Sequence, residues 1–448
     1  MSMTIDISRL SEALAERGLT QAELARRSNV SRATLAKLLN GKATRVHPRT
    51  GQRLASALGL PEHDLDVNGI ETAYLSKLAE QHRYLDFTGM GVVSAGEQMP
   101  LDRGYVPVMV RERDEHTAQR RSVETCSRPT RPRRKRLPSF SLDTALTRFR
   151  RFFLLGEPGA GKTTALRYLA RKHAMPGKSQ PPHVDGQWVP IFVRLAEWSQ
   201  QLHEDETVDV VQAALAQLSV PDPAATAEWL KERACRGDVL LLLDGLDEVA
   251  DPGLQGILIE RIRQFVREHR EVHVVITSRP VGFERPTLGA TLDALLVQPL
   301  YEKAIRTFVV EWSAFRDGHD AGRKCAICDN RVQQLGHAII DHRRIRALAA
   351  NPMMLTVLCL LHESGASLPQ RRCELYEKIV EAFLFSWEQR KRTATSGAPD
   401  RRVTLEEREI KWLLESLALD MQRKDMTLAP RWWLSEKSTS FLRDELGG

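Results

Sequence analysis

Residues 151–164 decide the fold of this chain, and they read Arg-Phe-Phe-Leu-Leu-Gly-Glu-Pro-Gly-Ala-Gly-Lys-Thr-Thr. Phe152 to Leu155 are all apolar, which is typical of a strand buried on both faces of a parallel sheet. The next residues match the pattern G-x-x-x-x-G-K-[ST], in which backbone N–H groups surround a phosphate and glycines leave room for it. The apolar strand before this loop and the helix after it make the match specific. The stretch therefore predicts an α/β domain with a phosphate-binding loop.

The end of this loop has expected roles at a bound nucleotide. Lys162 is expected to reach the β- and γ-phosphate oxygens, and the hydroxyl of Thr163 is expected to bind Mg²⁺. The helix that continues from Thr164 would direct its positive end towards the anion. The predicted nucleotide-binding residues of the loop are Gly156, Glu157, Pro158, Gly159, Ala160, Gly161, Lys162, Thr163 and Thr164.

Length and composition indicate several globular domains. At roughly 150 residues per domain, the 448 residues suggest about three of them. A hydrophobic content of 42% and a charged content of 27% are typical of globular proteins, and no apolar run approaches the ~20 residues that cross a bilayer. The N-terminus lacks the basic and apolar segments of a secretory signal. We therefore expect a cytoplasmic protein without a membrane anchor.

Cysteine spacing gives little indication of a metal site. Of the six cysteines, only Cys325 and Cys328 have a ligand-like spacing, and no second Cys or His pair lies at a usual distance from them. We therefore expect reduced thiols here.

The net charge of +7 is concentrated in one short segment. Arg128 to Arg136 contain six positive charges and no acid, interspersed with prolines. A solvated, proline-stiffened linker is the preferred interpretation, and a nucleic-acid-binding arm is the alternative.

Residues 6–60 are predicted to form four or five short helices. Thr20 and Glu23 match the capping box that begins a helix, and Ser31 is expected to cap the next one. Two short helices joined by a three- or four-residue turn form a helix-turn-helix, whose second helix enters the major groove of DNA.

The amino-acid sequence from Leu19 to Lys42 closely resembles that of the Cro/phage-repressor helix-turn-helix family. That resemblance implies that Ala25 and Val30 pack internally. The residues that it implies at a DNA surface are Gln21, Ser31, Arg32, Thr34 and Lys37. The alternative is a module that binds protein or caps the next domain. DNA contact is preferred because Arg32 and Lys37 are expected on the exposed face.

Two further apolar runs end in charged residues. Val239 to Leu243 precede three acids, of which Asp244 is expected to orient Mg²⁺ through water. Asp247 or Glu248 is expected to polarise an attacking water, and a solvated loop is the alternative for all three acids. A strand beginning at Val272 ends in Arg279, which could contact a γ-phosphate. The ends of parallel strands meet at one edge, so a doubly wound sheet would bring these groups together.

The loop, the segment Leu241 to Glu248 and the segment Thr277 to Pro280 together resemble the NACHT family of signal-transducing P-loop NTPases. A mark of that family is a small residue after the metal-binding aspartate, here Gly245, with acids two and three positions beyond it, here Asp247 and Glu248. The resemblance implies ATP or ADP with Mg²⁺ as ligands. It also implies an order of effector, NTPase switch and sensor, as in bacterial antiphage proteins and animal receptors.

The resemblance continues beyond the sheet domain. Val297 to Phe308 is similar to the start of the family's helical domain, and Leu348 to Leu355 looks like its adenine-side motif, which implies that Pro352 packs on the base. Leu368 to Glu377 resembles the opening of its winged-helix domain. The family's late histidine-containing segment has no match, so this last domain is expected to be incomplete.

These interpretations predict a multidomain fold of the α/β plus all-α class. The expected domains are a helix-turn-helix bundle at 1–66, a bridging segment and basic linker at 67–145, a doubly wound P-loop domain of NACHT type at 146–299, a helical domain at 300–366, and a partial winged helix at 367–448.

Three functional hypotheses follow. The favoured one is a signalling switch in which ADP holds a closed monomer, and ATP leads to self-association and action through the N-terminal module. Such a protein would be a slow, regulatory ATPase, and in bacteria it would serve antiphage defence. The alternative is a transcription regulator whose binding to double-stranded DNA is modulated by nucleotide. An AAA+ motor is disfavoured because no segment matches the second-region arginine finger of that class.

Overall fold

The computed structural model divides the chain into two compact units, one of Met1–Asp86 with Gln98–Cys359 and one that contains Leu360–Gly448. The described residues are 3–5, 7–43, 45–60, 65, 69–85, 98–113, 138–175, 188–249, 251–280, 292–318, 326–363, 373–381, 406–424, 426, 429 and 431–445. The basic segment Arg128 to Arg136 and Cys325 lie outside these ranges. Within them, no helix has the length and apolar character needed to cross a bilayer. No cluster of three or more His, Cys, Asp or Glu in the described ranges could hold a metal ion.

The described part of residues 3–60 folds as short helices around a core of its own. The elements are β1 (Met3–Thr4), α1 (Ile7–Glu16), α2 (Gln21–Ser28), α3 (Arg32–Leu39), β2 (Arg45–Val46) and α4 (Pro48–Leu58), with β1 antiparallel to β2. The predicted capping box of Thr20 and Glu23 is confirmed, and so is the cap at Ser31. Asn29 turns the chain between α2 and α3 with a φ of 52°. The core is made by Ile5, Leu10, Leu24, Leu35, Leu38, Leu54 and Leu58.

Among the described residues, seven strands form the sheet at the centre of the next domain. Its strands are β3 (Met109–Glu112), β4 (Phe140–Ser141), β5 (Arg151–Leu155), β6 (Val189–Arg194), β7 (Val239–Asp244), β8 (His273–Ser278) and β9 (Asp293–Val297), in the spatial order β4-β3-β9-β5-β8-β7-β6. The five strands from β9 to β6 are parallel, whereas β3 and β4 pair antiparallel at one edge. Phe152 to Leu155 are fully buried, as their apolar run predicts. The predicted α/β fold class is confirmed.

Helices connect the strands of this sheet. They are α7 (Leu142–Arg148), α8 (Lys162–Ala174), α9 (Leu195–Glu204), α10 (Val210–Leu218), α11 (Pro223–Arg236) and α12 (Pro252–Glu268). The side-chain amide of Gln217, on α10, accepts a hydrogen bond from the backbone N–H of Arg194 (2.9 Å) and donates one to its carbonyl oxygen (3.1 Å). This amide therefore occupies the carboxyl end of the outer strand β6.

The segment before the phosphate-binding loop is built into the sheet domain. Its helix α5 (Gly69–Gln81) packs on α8, and the hydroxyl of Tyr74 donates a 2.8 Å hydrogen bond to the carbonyl of Pro190. From the sequence alone, the stretch from Leu101 to Val110 would be assigned to a strand. That assignment is wrong at its start, because Leu101–Gly104 form a short helix, α6, and the strand begins at Met109. Pro100 precedes that helical turn, and Pro107 lacks the N–H that a strand ladder needs.

Further helices follow β9. They are α13 (Glu302–Arg316), α14 (Ala326–Ile340), α15 (Arg343–Ala349) and α16 (Pro352–Glu363). In the second unit, residues 373–381 are helical, and α17 (Glu407–Arg423) packs on α18 (Arg431–Glu445). Trp412 and Phe441 meet edge to face there, with 4.9 Å between ring centroids. Leu368, where the winged-helix resemblance begins, lies outside the described residues, so that assignment stays a prediction.

Candidate nucleotide-binding site

The phosphate-binding loop joins β5 to α8, and its backbone geometry requires glycine. Gly159 and Gly161 have φ values of 72° and 84°, a region that side chains with a Cβ rarely adopt. Lys162 is the first residue of α8, and its Nζ donates hydrogen bonds to the carbonyl oxygens of Gly156 (2.6 Å) and Glu157 (3.2 Å). The ammonium group therefore lies against the loop. Desolvation lowers its pKa, which nearby Asp247 raises in part.

The other predicted loop residues lie between β5 and the first turn of α8. Glu157 and Pro158 are exposed at the tip of the loop, and Ala160 is partly buried between the two turn glycines. Thr163 and Thr164 belong to the first turn of α8, which begins directly at the loop. Backbone N–H groups and the positive helix end are thus arranged for an anion.

Asp244 ends strand β7 and is buried, with 7% of its surface exposed. Its Oδ1 accepts a hydrogen bond from the hydroxyl of Thr163 at 3.1 Å and another from the hydroxyl of Thr277 at 2.7 Å. Burial raises the pKa of Asp244, and these two hydrogen bonds lower it in part. The two predicted Mg²⁺ residues are therefore in direct contact. A hydroxyl and a carboxylate are the hard oxygen donors that Mg²⁺ prefers, so these residues fit that ion.

The two remaining acids follow in a single 3₁₀ turn, Leu246–Glu248, entered through Gly245 at a φ of 82°. The carboxylate of Asp247 binds Arg279 with both oxygens: Oδ1 accepts from the backbone N–H at 3.1 Å, and Oδ2 lies 2.8 Å from Nε. The carboxyl of Glu248 lies over Gly245, where an added Cβ would come within 3.0 Å of it. Partial desolvation raises the pKa of Glu248, and the charges of Asp244 and Asp247 raise it further.

Sequence reasoning missed the role of Thr277. This residue is fully buried in β8, and its hydroxyl accepts a 2.7 Å hydrogen bond from the N–H of Gly245 while it donates to Asp244. It therefore fixes the end of β7 relative to β8. The available signal was a hydroxyl residue at the end of an otherwise apolar strand, next in sequence to Ser278 and Arg279.

The turn before α16 also reaches the phosphate-binding loop. Asn351 donates a 2.9 Å hydrogen bond from Nδ2 to the carbonyl of Pro158, and the N–H of Met353 donates to the carbonyl of Gly159 at 3.2 Å. The ring of Pro352 lies 3.6 Å from the place of a Cβ at Gly161. Pro352, predicted at the base, is thus beside the loop. Asn351 was not predicted, although an Asn before Pro at a helix start is a recognisable cap.

The predicted DNA-facing residues fall into two groups, those with exposed side chains and those whose side chains take part in capping a helix. Gln21, Arg32 and Lys37 are exposed on α2 and α3. The Ser31 hydroxyl caps α3 by accepting from the N–H of Thr34 at 3.1 Å, and the two hydroxyl oxygens lie 2.8 Å apart. Ser31 and Thr34 therefore have a structural role, and the exposed amide and cations remain for a partner.

The fold and the loop define a P-loop NTPase domain, and comparisons with protein families agree with that class. Residues 150–315 match the family model described as the NACHT domain, and residues 10–65 match a helix-turn-helix model. The chain therefore carries a NACHT domain, a nucleotide-binding P-loop NTPase, joined to an N-terminal helix-turn-helix domain. None of the curated protein sequences is significantly similar to it.

Solved structures share a remote likeness with the chain. A structure of PCH-2 from C. elegans has 15% identity and a TM-score of 0.28, and the match covers 50% of this chain and 65% of that one. The replication initiator DnaA bound to AMPPCP and single-stranded DNA has 13% identity and a TM-score of 0.26, over 68% and 77% of the chains. Drosophila ORC bound to DNA has 14% identity and a TM-score of 0.23, over 65% and 67%.

Proposed function

We propose that this protein is an ATP- and ADP-dependent switch, and that the nucleotide controls its self-association and thereby the action of its helix-turn-helix domain. The observation that carries the proposal is the pair of hydrogen bonds from Asn351 and Met353 to the phosphate-binding loop. Through them the helical region after the sheet contacts the loop that would hold the phosphates. A change in the conformation of the loop can therefore be transmitted to the helical region that contains α16.

The site itself supports nucleotide binding and slow hydrolysis. Lys162 and the N-terminus of α8 would bind the phosphates, and Thr163 with Asp244 would hold Mg²⁺. A bound Mg²⁺ would neutralise phosphate charge and orient the transferred group. Thr277 keeps Asp244 in place by its 2.7 Å hydrogen bond. The carboxylates of Asp247 and Glu248 lie beside this set, and one of them would supply the base that activates a water molecule.

The connection to the helix-turn-helix domain supports the second half of the proposal. Helix α5, which follows that domain in sequence, packs on α8, the helix that begins at Lys162. Cations of α8 hold the connecting segment: Arg171 donates to the carbonyl of Ala79 at 2.5 Å and pairs with Asp102 at 2.9 Å, and Lys172 pairs with Asp143 at 2.7 Å. The phosphate-binding helix and the connecting helix are therefore one packed body.

DNA binding belongs to the same proposal and would be weak for a single copy. One helix-turn-helix contacts a single half-site, with few phosphate contacts and a strong dependence on salt. Self-association would raise the apparent affinity by roughly 10²–10⁴, because linked modules bind one DNA together. A cytoplasmic role in bacterial antiphage defence, which the family resemblance implies, is proposed on that basis. A nucleotide-modulated transcription regulator is the alternative, favoured by the exposed Arg32 and Lys37.

The deciding experiment is a titration of duplex DNA with the full chain in ADP, in a non-hydrolysable ATP analogue, and without nucleotide. We expect tighter binding and larger assemblies with the ATP analogue, measured by anisotropy and light scattering. Arg32→Ala with Lys37→Ala should remove DNA binding and leave assembly unchanged. Lys303→Ala with Arg343→Ala removes the same charge from α13 and α15 and should change neither.

Equal assembly in ADP and in the ATP analogue would exclude the switch. Assembly without DNA binding would leave a protein-binding role for the N-terminal domain.

A further inference from the structure

The two acids that follow Gly245 have different surroundings. Both oxygens of Asp247 are bound by Arg279, one by its backbone N–H and one by its guanidinium. In the described part of the chain, no hydrogen bond or ion pair is found for the carboxylate of Glu248, which is exposed and lies over Gly245. One acid is occupied, and the other is available to a water molecule.

The guanidinium of Arg279 pairs with Asp247 and lies near Lys162. Its Nε lies 2.8 Å from Asp247, and its charge and that of Asp247 both act on the ammonium of Lys162. Arg279 therefore lies within electrostatic range of the position where terminal phosphate oxygens would bind. A side chain that is 39% exposed has room to change its partner.

We propose that Asp247 is a positioning residue, which holds Arg279 until a γ-phosphate displaces it, and that Glu248 alone activates the attacking water. This inference rests on the proposed nucleotide site and assigns separate roles to its two acids. In the hydrolysis step, the water oxygen forms a bond to the γ-phosphorus, and a water proton goes to Glu248. The bond from the γ-phosphorus to the bridging oxygen breaks, and its electron pair leaves with ADP.

The exchange of partners is physically reasonable because the two pairings differ in strength. The Asp247–Arg279 ion pair is partly exposed, at 21% and 39% of the side chains, and exposed pairs contribute little to stability. A guanidinium that binds two phosphate oxygens makes short, charge-assisted hydrogen bonds. The γ-phosphate therefore competes well for the side chain. The backbone N–H of Arg279 remains on Asp247 throughout, so the strand end keeps its position.

The test compares Asp247→Asn, Glu248→Gln and Arg279→Ala with an exposed acid on α11 as control, Glu228→Gln. Affinities for ADP and for a non-hydrolysable ATP analogue are measured by calorimetry, and hydrolysis is measured under single-turnover conditions. Glu248→Gln should slow hydrolysis by roughly 10²–10⁴, the usual contribution of a general base, and leave both affinities unchanged. Asp247→Asn should raise the preference for the ATP analogue over ADP, because the γ-phosphate no longer has to displace a carboxylate. Arg279→Ala should lower that preference.

The double variant Asp247→Asn with Arg279→Ala separates the proposed role from a structural one. If Asp247 acts through Arg279, the double variant matches Arg279→Ala in nucleotide preference, and thermal unfolding confirms that each variant is folded. An Asp247→Asn protein that loses hydrolysis as fully as Glu248→Gln, with its nucleotide preference unchanged, would overturn the assignment. Should Asp247→Asn fail to fold, an Arg279→Ala protein with unchanged preference would overturn it equally. An unmodified protein that binds neither nucleotide would instead refute the proposed function.

Discussion

The side-chain amide of Asn351 donates a 2.9 Å hydrogen bond to the carbonyl oxygen of Pro158, at the tip of the phosphate-binding loop. The other end of the same amide, Oδ1, caps α16 by accepting from the N–H of Met353 at 3.0 Å and of Met354 at 3.3 Å. One side chain therefore begins a helix and holds the loop. Substitutions at this position can separate these two roles.

We expect Asn351→Ala to lose both roles and Asn351→Asp to lose one. Aspartate is an equally good helix cap, but its carboxylate cannot donate to the carbonyl of Pro158. The Ala variant should lower the free energy of unfolding by about 1 kcal/mol, the usual cost of a lost cap, whereas the Asp variant should not. Both should release ADP faster than the unmodified protein, as measured by stopped-flow with a fluorescent ADP. Unchanged release from the Asp variant would show that the contact with Pro158 has no part in nucleotide retention.

Gly159→Ala should disrupt the loop for two reasons. The φ of 72° disfavours any Cβ, and an added Cβ would come within 2.8 Å of Asn351 Oδ1 and of the Met353 Cβ. Strain of this kind costs of order 1–3 kcal/mol, so nucleotide affinity and the melting temperature should both fall. Gly256→Ala is the matched control. That glycine lies within α12 with nothing within 4 Å of an added Cβ, and the change should stabilise the protein by roughly 0.5–1 kcal/mol. Equal melting temperatures of the two variants would contradict the geometry at Gly159.

Thr277→Val should weaken both the fold and the Mg²⁺ dependence of nucleotide binding. Valine has a similar shape but no hydroxyl, so the buried N–H of Gly245 loses its partner and Asp244 loses a donor. Leaving one buried group without a partner costs about 1–3 kcal/mol. Thr277→Ser keeps the hydroxyl and should retain Mg²⁺ dependence, measured by calorimetry at graded Mg²⁺ concentrations. If valine and serine behave alike, the hydroxyl does not orient Asp244.

Truncation should show that the segment after the helix-turn-helix domain stabilises the NTPase domain, and that the helix-turn-helix domain itself does not. A chain that begins at residue 67 keeps α5 and the antiparallel strands β3 and β4, so its NTPase domain should melt at nearly the same temperature as in the full chain. A chain that begins at residue 146 loses the pairing of β3 with β9 and the burial of Tyr74 against Pro190. We expect it to aggregate or to melt at a clearly lower temperature in calorimetry. Equal stability of both truncated chains would mean that residues 67–145 are a mere linker.

The parts of the site that follow each other closely in sequence could be predicted, and the contacts between distant segments could not. The loop at Gly156 to Thr163 and the acids after β7 are local patterns, since each is read from a strand and the residues that follow it. In the structure, Thr163 of the first pattern and Asp244 of the second are joined by a hydrogen bond. The pairing of Asp247 with Arg279 joins residues 32 positions apart, and neither residue type specifies its partner. The role of Thr277 could not be assigned from the sequence, because a threonine in a strand can also serve only to pack in the core.

The same limit applies to the fold. The caps at Thr20 and Ser31 were predictable because a helix end is satisfied by residues within one turn. The pairing of Val110 with Val297 was not predictable, because the register of two strands distant in sequence depends on how the whole sheet is assembled. The start of β3 was placed too early, since an apolar run does not by itself distinguish a buried helical turn from a strand.

The amide of Gln217 mimics a neighbouring strand where it binds both backbone groups of Arg194. An open strand edge can template the addition of a strand from another chain, which leads to aggregation. Here the carboxyl end of β6 is already occupied by this amide, and at the opposite edge β4 consists of only two residues. In the self-associating switch proposed above, Gln217 would accordingly hinder polymerisation through the carboxyl end of β6.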